Sequence, residues 1–177
     1  MAGFAPEVLA LFQKIATGRL PDAGRVFFVS GTGLNTNPGT SPDKPFATIT
    51  HALIQCLAGR GDTIFVLSTT AEPLYPVSIA KSDVHIIGVT NPGVDPKSSV
   101  MGGGNQCFNI TTDGDRLEVA GLGFGTNGED CLYGIQVYGA WIHHCAFGGS
   151  PIYDGGLVRT AIIGDQWPAS VIEDNFF

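Results

Sequence analysis

"VAGLGF" (119–124), "IHHCAF" (142–147) and "IEDNFF" (172–177) share one shape. Each runs from an apolar residue through two variable positions to a small or apolar one, then a further variable position, then Phe. Phe124, Phe147 and Phe177 stand 23 and 30 residues apart. One pass of a stacked-strand solenoid takes about this many residues, with insertions placed in its turns. Like residues would then stack in internal ladders of Phe and of Ile or Val, with successive passes ~4.8 Å apart.

Short strands surround this repeat: "YPVSIA", "DVHIIGV", "CFNIT", "LEVAGLGF", "YGIQVYG", "AWIHHCAF", "GLVRTAII" and "ASVIEDNFF". Gly, Asn, Asp and Pro separate them, and no helical pattern intervenes. Their spacing is too short for βαβ units and fits a sandwich or a solenoid. The repeat selects the solenoid, a parallel β-helix of about five passes between residues 62 and 177.

Upstream, "PGTSPDKPFATITHAL" (38–53) passes from loop to helix. Ile49, Ala52, Leu53, Cys56 and Leu57 fall on one helical face. Pro45 sits near the start, where its missing N–H costs nothing, and Gly59 and Gly61 follow the end. The spacing predicts a helix over 46–58, just before the buried strand "DTIFVLS" (62–68). A stack of strands leaves unpaired N–H and C=O groups at each end. The helix is expected to cap the first end with its apolar face. At the other end the sequence stops within a repeat, at Phe176-Phe177, so a partner chain or further sequence is expected to cover it.

Before the cap lie a strand, "GRVFFVS" (24–30), and a loop rich in Gly, Asn and Pro (31–45). Residues 5–17 read as a helix with one apolar stripe, Phe4, Val8, Leu11, Phe12 and Ile15, stopped by Gly18. A lone helix this short is marginal in water, so its stripe must dock on something. The expected organisation is an N-terminal helical arm (1–23), serving as anchor or oligomer contact, and a β-helix domain (24–177).

Composition agrees with many tight turns around an apolar core. Hydrophobic residues make up 44% and charged ones 14%, against a usual quarter, and there are 25 glycines. The net charge of −7 and the lack of a basic cluster exclude a nucleic-acid partner. No apolar run is long enough to span a membrane. The opening 20 residues lack a basic n-region, so folding in a cytosol is expected and the sequon at Asn109 is irrelevant. Cys56, Cys107, Cys131 and Cys145 form no C-x-x-C, and read as reduced, buried apolar residues.

The stretch from Gly24 to Leu67, with "GTSPDKPFATI" and "GDTIFVL", resembles the opening of right-handed parallel β-helix proteins of the pectin-lyase-like superfamily. "VHIIG" (84–88) and the "IHHCAF" repeat continue the likeness to the C-terminus. The form of the motif here, with "RVFFV" before the loop and "RGDTIFVL" after the helix, is most similar to virion proteins of tailed bacteriophages. The resemblance implies an all-β fold, a right-handed parallel β-helix with an N-terminal capping helix. It also implies a structural, non-catalytic virion role as capsid decoration or short spike, located in the virion. The expected partners are sister chains, as a trimer, and other virion proteins through the arm. The same superfamily holds polysaccharide lyases, glycoside hydrolases and adhesins, so a carbohydrate-active enzyme or a carbohydrate-binding module is the alternative.

Chemistry for the alternative is sparse. Lyases of this kind pair a calcium site of carboxylates with an Arg or Lys base, and glycosidases use two carboxyl groups. Asp113, Asp115, Glu118, Glu129, Asp130, Asp154, Asp165, Glu173 and Asp174 are the acidic candidates, most of them in turn contexts where Asp satisfies backbone N–H groups. Beyond residue 81 the basic residues are Lys97, Arg116 and Arg159, with Arg159 the best lyase base. His143 and His144 are neighbours on a strand, so their side chains should diverge and not clasp one metal. "RGD" (60–62) reads as a turn into the first strand. No catalytic residue, metal or cofactor is expected. Tyr133, Tyr138, Trp141 and Tyr153 would favour sugar binding if they lined one face.

Overall fold

The computed structural model describes residues 24–70, 72–89, 98–126, 128–148 and 161–176. The stripe of Phe4, Val8, Leu11, Phe12 and Ile15 lies outside these residues, as do Tyr153, Asp154, Arg159 and Phe177.

The described chain is mostly β, with one helix and parallel sheets. Its elements are β1 (Val26–Val29), α1 (Ile49–Gln55), β2 (Asp62–Val66), β3 (Val77–Ile79), β4 (Val84–Gly88), β5 (Ser99–Gly103) and β6 (Phe108–Ile110). They continue with β7 (Glu118–Ala120), β8 (Gly123–Thr126), β9 (Leu132–Ile135), β10 (Trp141–His143), β11 (Ala146–Phe147), β12 (Ile162–Asp165) and β13 (Val171–Glu173). They form three sheets, ordered β1-β2-β4-β7-β10-β13, β11-β8-β5 and β12-β9-β6-β3. Every pairing is parallel.

From β4 onward the chain visits the six-, three- and four-stranded sheets in strict rotation. Before that, Thr70 takes the place of a strand between β2 and β3 by bridging in parallel to Val100 of β5. Residues that follow one another in register therefore belong to successive turns of the chain. Phe27, Ile64, Ile86, Val119, Ile142 and Ile172 form one such row. The first five are buried and line the core. Alternate positions on these strands point the other way, as the period of two requires.

The other two sheets close the core. Phe124 stacks on Phe147 with ring centroids 5.3 Å apart and planes at 13°. Phe108 meets Phe124 edge-on at 5.2 Å. In the four-stranded sheet, the glycines Gly134 and Gly164 make room for Trp167. Its indole N–H donates to Gly134 O at 3.0 Å, and a Cβ on Gly164 would fall 1.9 Å from that nitrogen. The four cysteines are free and buried. Burial pushes the Cys56 and Cys145 thiols up to about 12.

Corners come from left-handed residues at equivalent places in successive turns. Gly61, Asp83, Arg116, Gly139 and Ala169 all have φ between 53° and 73°. A second row holds Gly121, His144 and Asp174 at 64°, 53° and 51°. Non-glycine residues pay roughly 1–2 kcal/mol for this backbone. Side-chain bonds link successive corners: Arg116 forks onto Asp83 at 2.5 and 2.6 Å, and Asp115 accepts from Tyr138 N–H at 2.9 Å. These corners divide "LEVAGLGF" and "AWIHHCAF", each read as one strand, into β7 with β8 and β10 with β11. Strand β5 was not legible, because "SVMGGG" carries glycines where a strand pattern wants side chains.

The predicted helix 46–58 is shorter, at Ile49–Gln55. Phe46 still pairs with β1, through Phe46 N–H to Phe28 O and Ser30 N–H to Phe46 O, so the helix cannot begin there. Thr48 is the N-cap, accepting from His51 N–H at 3.1 Å. Ile49, Ala52, Leu53 and Cys56 are buried, and the helix packs on β1, β2 and β3. Leu57 departs from the expected face: it lies beyond the last turn and is 57% exposed.

Candidate functional site

Charged groups around α1 are spent on architecture. Glu72 accepts the N–H groups of Ile49 and Thr50 at 2.7 and 3.2 Å, while the Lys81 ammonium donates to the carbonyls of Leu53, Ile54 and Cys56. Both ends of the helix dipole thus meet the opposite charge. Asp62 is fully buried and accepts from Arg25 N–H, Leu57 N–H and the Arg60 fork at 2.6–2.7 Å. Burial alone would raise its pKa, but the Arg60 fork and the two backbone N–H bonds outweigh it and hold it below the usual range. "RGD" is thus a turn tied into β2. The Asn-rich loop is likewise bound down: Asn35 accepts from Ala47 N–H and donates to Thr48 Oγ1, and Asn37 donates to Pro45 O.

A second polar cluster lies on the outer face of the six-stranded sheet. His85 of β4, Glu118 of β7 and Trp141 of β10 share one register row. His143 and Glu173 share the row two residues on. Strand spacing alone brings these groups together. Glu118 Oε2 is 2.6 Å from His85 Nδ1, and Oε1 is 3.0 Å from His143 Nε2. His143 Nδ1 faces His144 Nδ1 at 2.8 Å. The Trp141 indole stacks on the His143 ring, with centroids 3.9 Å apart and planes at 25°, and donates to Glu173 Oε1 at 3.0 Å.

The expectation that His143 and His144 diverge is overturned. It holds for two residues within a strand, but His144 has left β10 for the left-handed region, at φ 53°. That corner turns its ring back toward His143.

The electrostatics of the cluster are one-sided. His85, bonded to Glu118, holds its carboxyl below the usual range. Partial burial opposes this, and His143 reinforces it. Glu118 is therefore a carboxylate with both oxygens engaged, unsuited to donate a proton. It fixes the His143 tautomer with the proton on Nε2, so the Nδ1 of a neutral ring carries the lone pair.

The remaining sequence candidates are dispersed. Arg116 is committed to Asp83, and Asp115 to a backbone N–H. Asp130 is buried, with Oδ1 lacking a hydrogen-bond partner. Tyr133 belongs to β9 of the four-stranded sheet, whereas Trp141, 43% exposed, belongs to the six-stranded one. Tyr138 stands at the corner between them, 56% exposed. Tyr133, Tyr138 and Trp141 thus do not share one face. Among the described residues no group of three or more His, Cys, Asp or Glu is arranged to hold a metal.

The sequence could have pointed to this cluster through its register. Placing His85, Glu118 and His143 on the outer side of the rows that contain Ile86, Val119 and Ile142 juxtaposes them. The missing signal was the corner at His144, which no residue type announces.

Neither protein-family models nor curated protein sequences give a match to this chain. Among solved structures it is similar to a rhamnogalacturonan lyase, at 14% identity and a TM-score of 0.35. That similarity covers 87% of this chain and 63% of the lyase chain, so this chain spans less than two thirds of that protein's length.

Proposed function

We propose that this protein is a right-handed parallel β-helix serving as a structural, non-catalytic component of a tailed-bacteriophage virion, as a capsid decoration or a short spike. The observation that carries the reading is the rotation of the chain through three parallel sheets with in-register apolar rows. Such a rod is stiff because each turn buries its rows against the next. The opening motif over Gly24–Leu67 supplies the virion resemblance. In this reading α1 caps one end of the rod. The arm (1–23) anchors it to other virion proteins, and three chains associate.

Among the described residues, the engaged state of several charged groups supports a non-catalytic role. Arg60 and Arg116 are held in carboxylate forks and Lys81 by helix carbonyls. Both oxygens of Glu118 are taken by imidazoles. A lyase base or a glycosidase acid needs a group free to exchange a proton with substrate.

Light scattering of the full chain and of a chain lacking residues 1–20 tests the proposal, together with an assay for polysaccharide cleavage. The expected result is a trimer in both cases and no cleavage. A monomer in both would overturn the spike. Release of unsaturated or reducing ends would replace the reading with the enzymatic one.

A further inference from the structure

We infer that His143 and His144 form a two-nitrogen chelate for a divalent transition metal of the Zn2+, Ni2+ or Cu2+ class. The two Nδ1 atoms face each other at 2.8 Å, so a single proton fits between them in the metal-free protein. A tetrahedral ion bound about 2.0–2.1 Å from each nitrogen would hold them about 3.3 Å apart. The rings therefore need to part by about half an ångström, which exposed His144 can supply.

His143 is prepared for this role. Its Nε2–H points to Glu118 Oε1 at 3.0 Å, its ring lies flat on Trp141, and the second oxygen of Glu118 is fixed by His85. A carboxylate behind a ligating imidazole fixes its tautomer and raises its basicity. His144 supplies the mobile half from its left-handed corner. The next turn of the chain repeats that corner at Asp174, one residue past the paired Glu173. Water completes the coordination. Imidazole ligands select borderline transition metals over Ca2+ and Mg2+. The chelate holds whether or not the virion role does, because it rests only on the geometry of the cluster.

The test is calorimetric titration of the full chain with ZnCl2 near neutral pH, alongside thermal melts with and without the metal. Wild type should take up one Zn2+ per chain and melt higher with it, while CaCl2 does neither. His144→Asn keeps a residue tolerant of φ > 0 and should weaken binding at least tenfold. Glu118→Gln should weaken it about 10–100-fold. Circular dichroism verifies that both variants fold. Absence of Zn2+ uptake by wild type would overturn the inference. So would undiminished uptake by folded His144→Asn, which would assign the ion to His51 or His85.

Discussion

Ile142 and Ile172 are neighbours in one register row, of the same residue type, and their surroundings differ completely. Ile142 is fully buried between Val119 and Ile172, whereas Ile172 is 47% exposed. The same contrast separates the two ends of the described fold. At β1 and β2 a helix, a bound-down loop and the Asp62 network cover the core. At β12 and β13, Ile163, Val171, Ile172 and Phe176 are all exposed. A repeat sets which way a side chain points, but burial comes from the next turn. An edge strand has a neighbour on one side only.

The largest expected effect probes the covered end. Asp62→Ala leaves the Arg60 charge and two N–H groups without their acceptor, and should cost about 3–5 kcal/mol in denaturant unfolding. Next comes the row itself. Ile142→Ala should cost about 2–5 kcal/mol and Ile172→Ala less than about 1 kcal/mol. Equal costs would mean that β13 is covered in solution, and would break the comparison. Lys81→Met removes the charge that satisfies three helix carbonyls, and should lower stability by about 1–2 kcal/mol. Hydrogen exchange should show faster opening confined to α1.

Acid sharpens the same comparison. Asp62, Asp83 and Glu118 have folded pKa values held below their ordinary ones by Arg60, Arg116 and His85. In such a case the unfolded chain binds protons first. The stabilisation is complete above the ordinary carboxylate value, about 4, and is lost as pH falls through the lower folded values. The melting temperature should hold steady from pH 7 to about 5 and then fall. The gap between wild type and Asp62→Asn should narrow below about pH 4. A constant gap would show that Asp62 acts through its shape and not its charge.

Much of the architecture was legible before the structure. The row Val119, Ile142 and Ile172 and the stacking of Phe124 on Phe147 follow from like residues recurring at the length of one turn. The buried face of α1 was legible at Ile49, Ala52, Leu53 and Cys56, because helical spacing is a local property. The helix limits were not, since pairing of Phe46 with β1 delays the start and Leu57 lies past the end. β5 was hidden by its glycines, and the corners at Gly121 and His144 were read as continuous strand.

The sequence by itself determined the inward rows, the apolar face of the helix and the burial of the cysteines, because periodicity and side-chain polarity act along the chain. Only the tertiary structure decided the His85–Glu118–His143–His144 cluster, the Asp62 network and the unequal ends. Those depend on residues 25 to 37 positions apart meeting across strands, and on a left-handed backbone at His144 that its side chain does not encode.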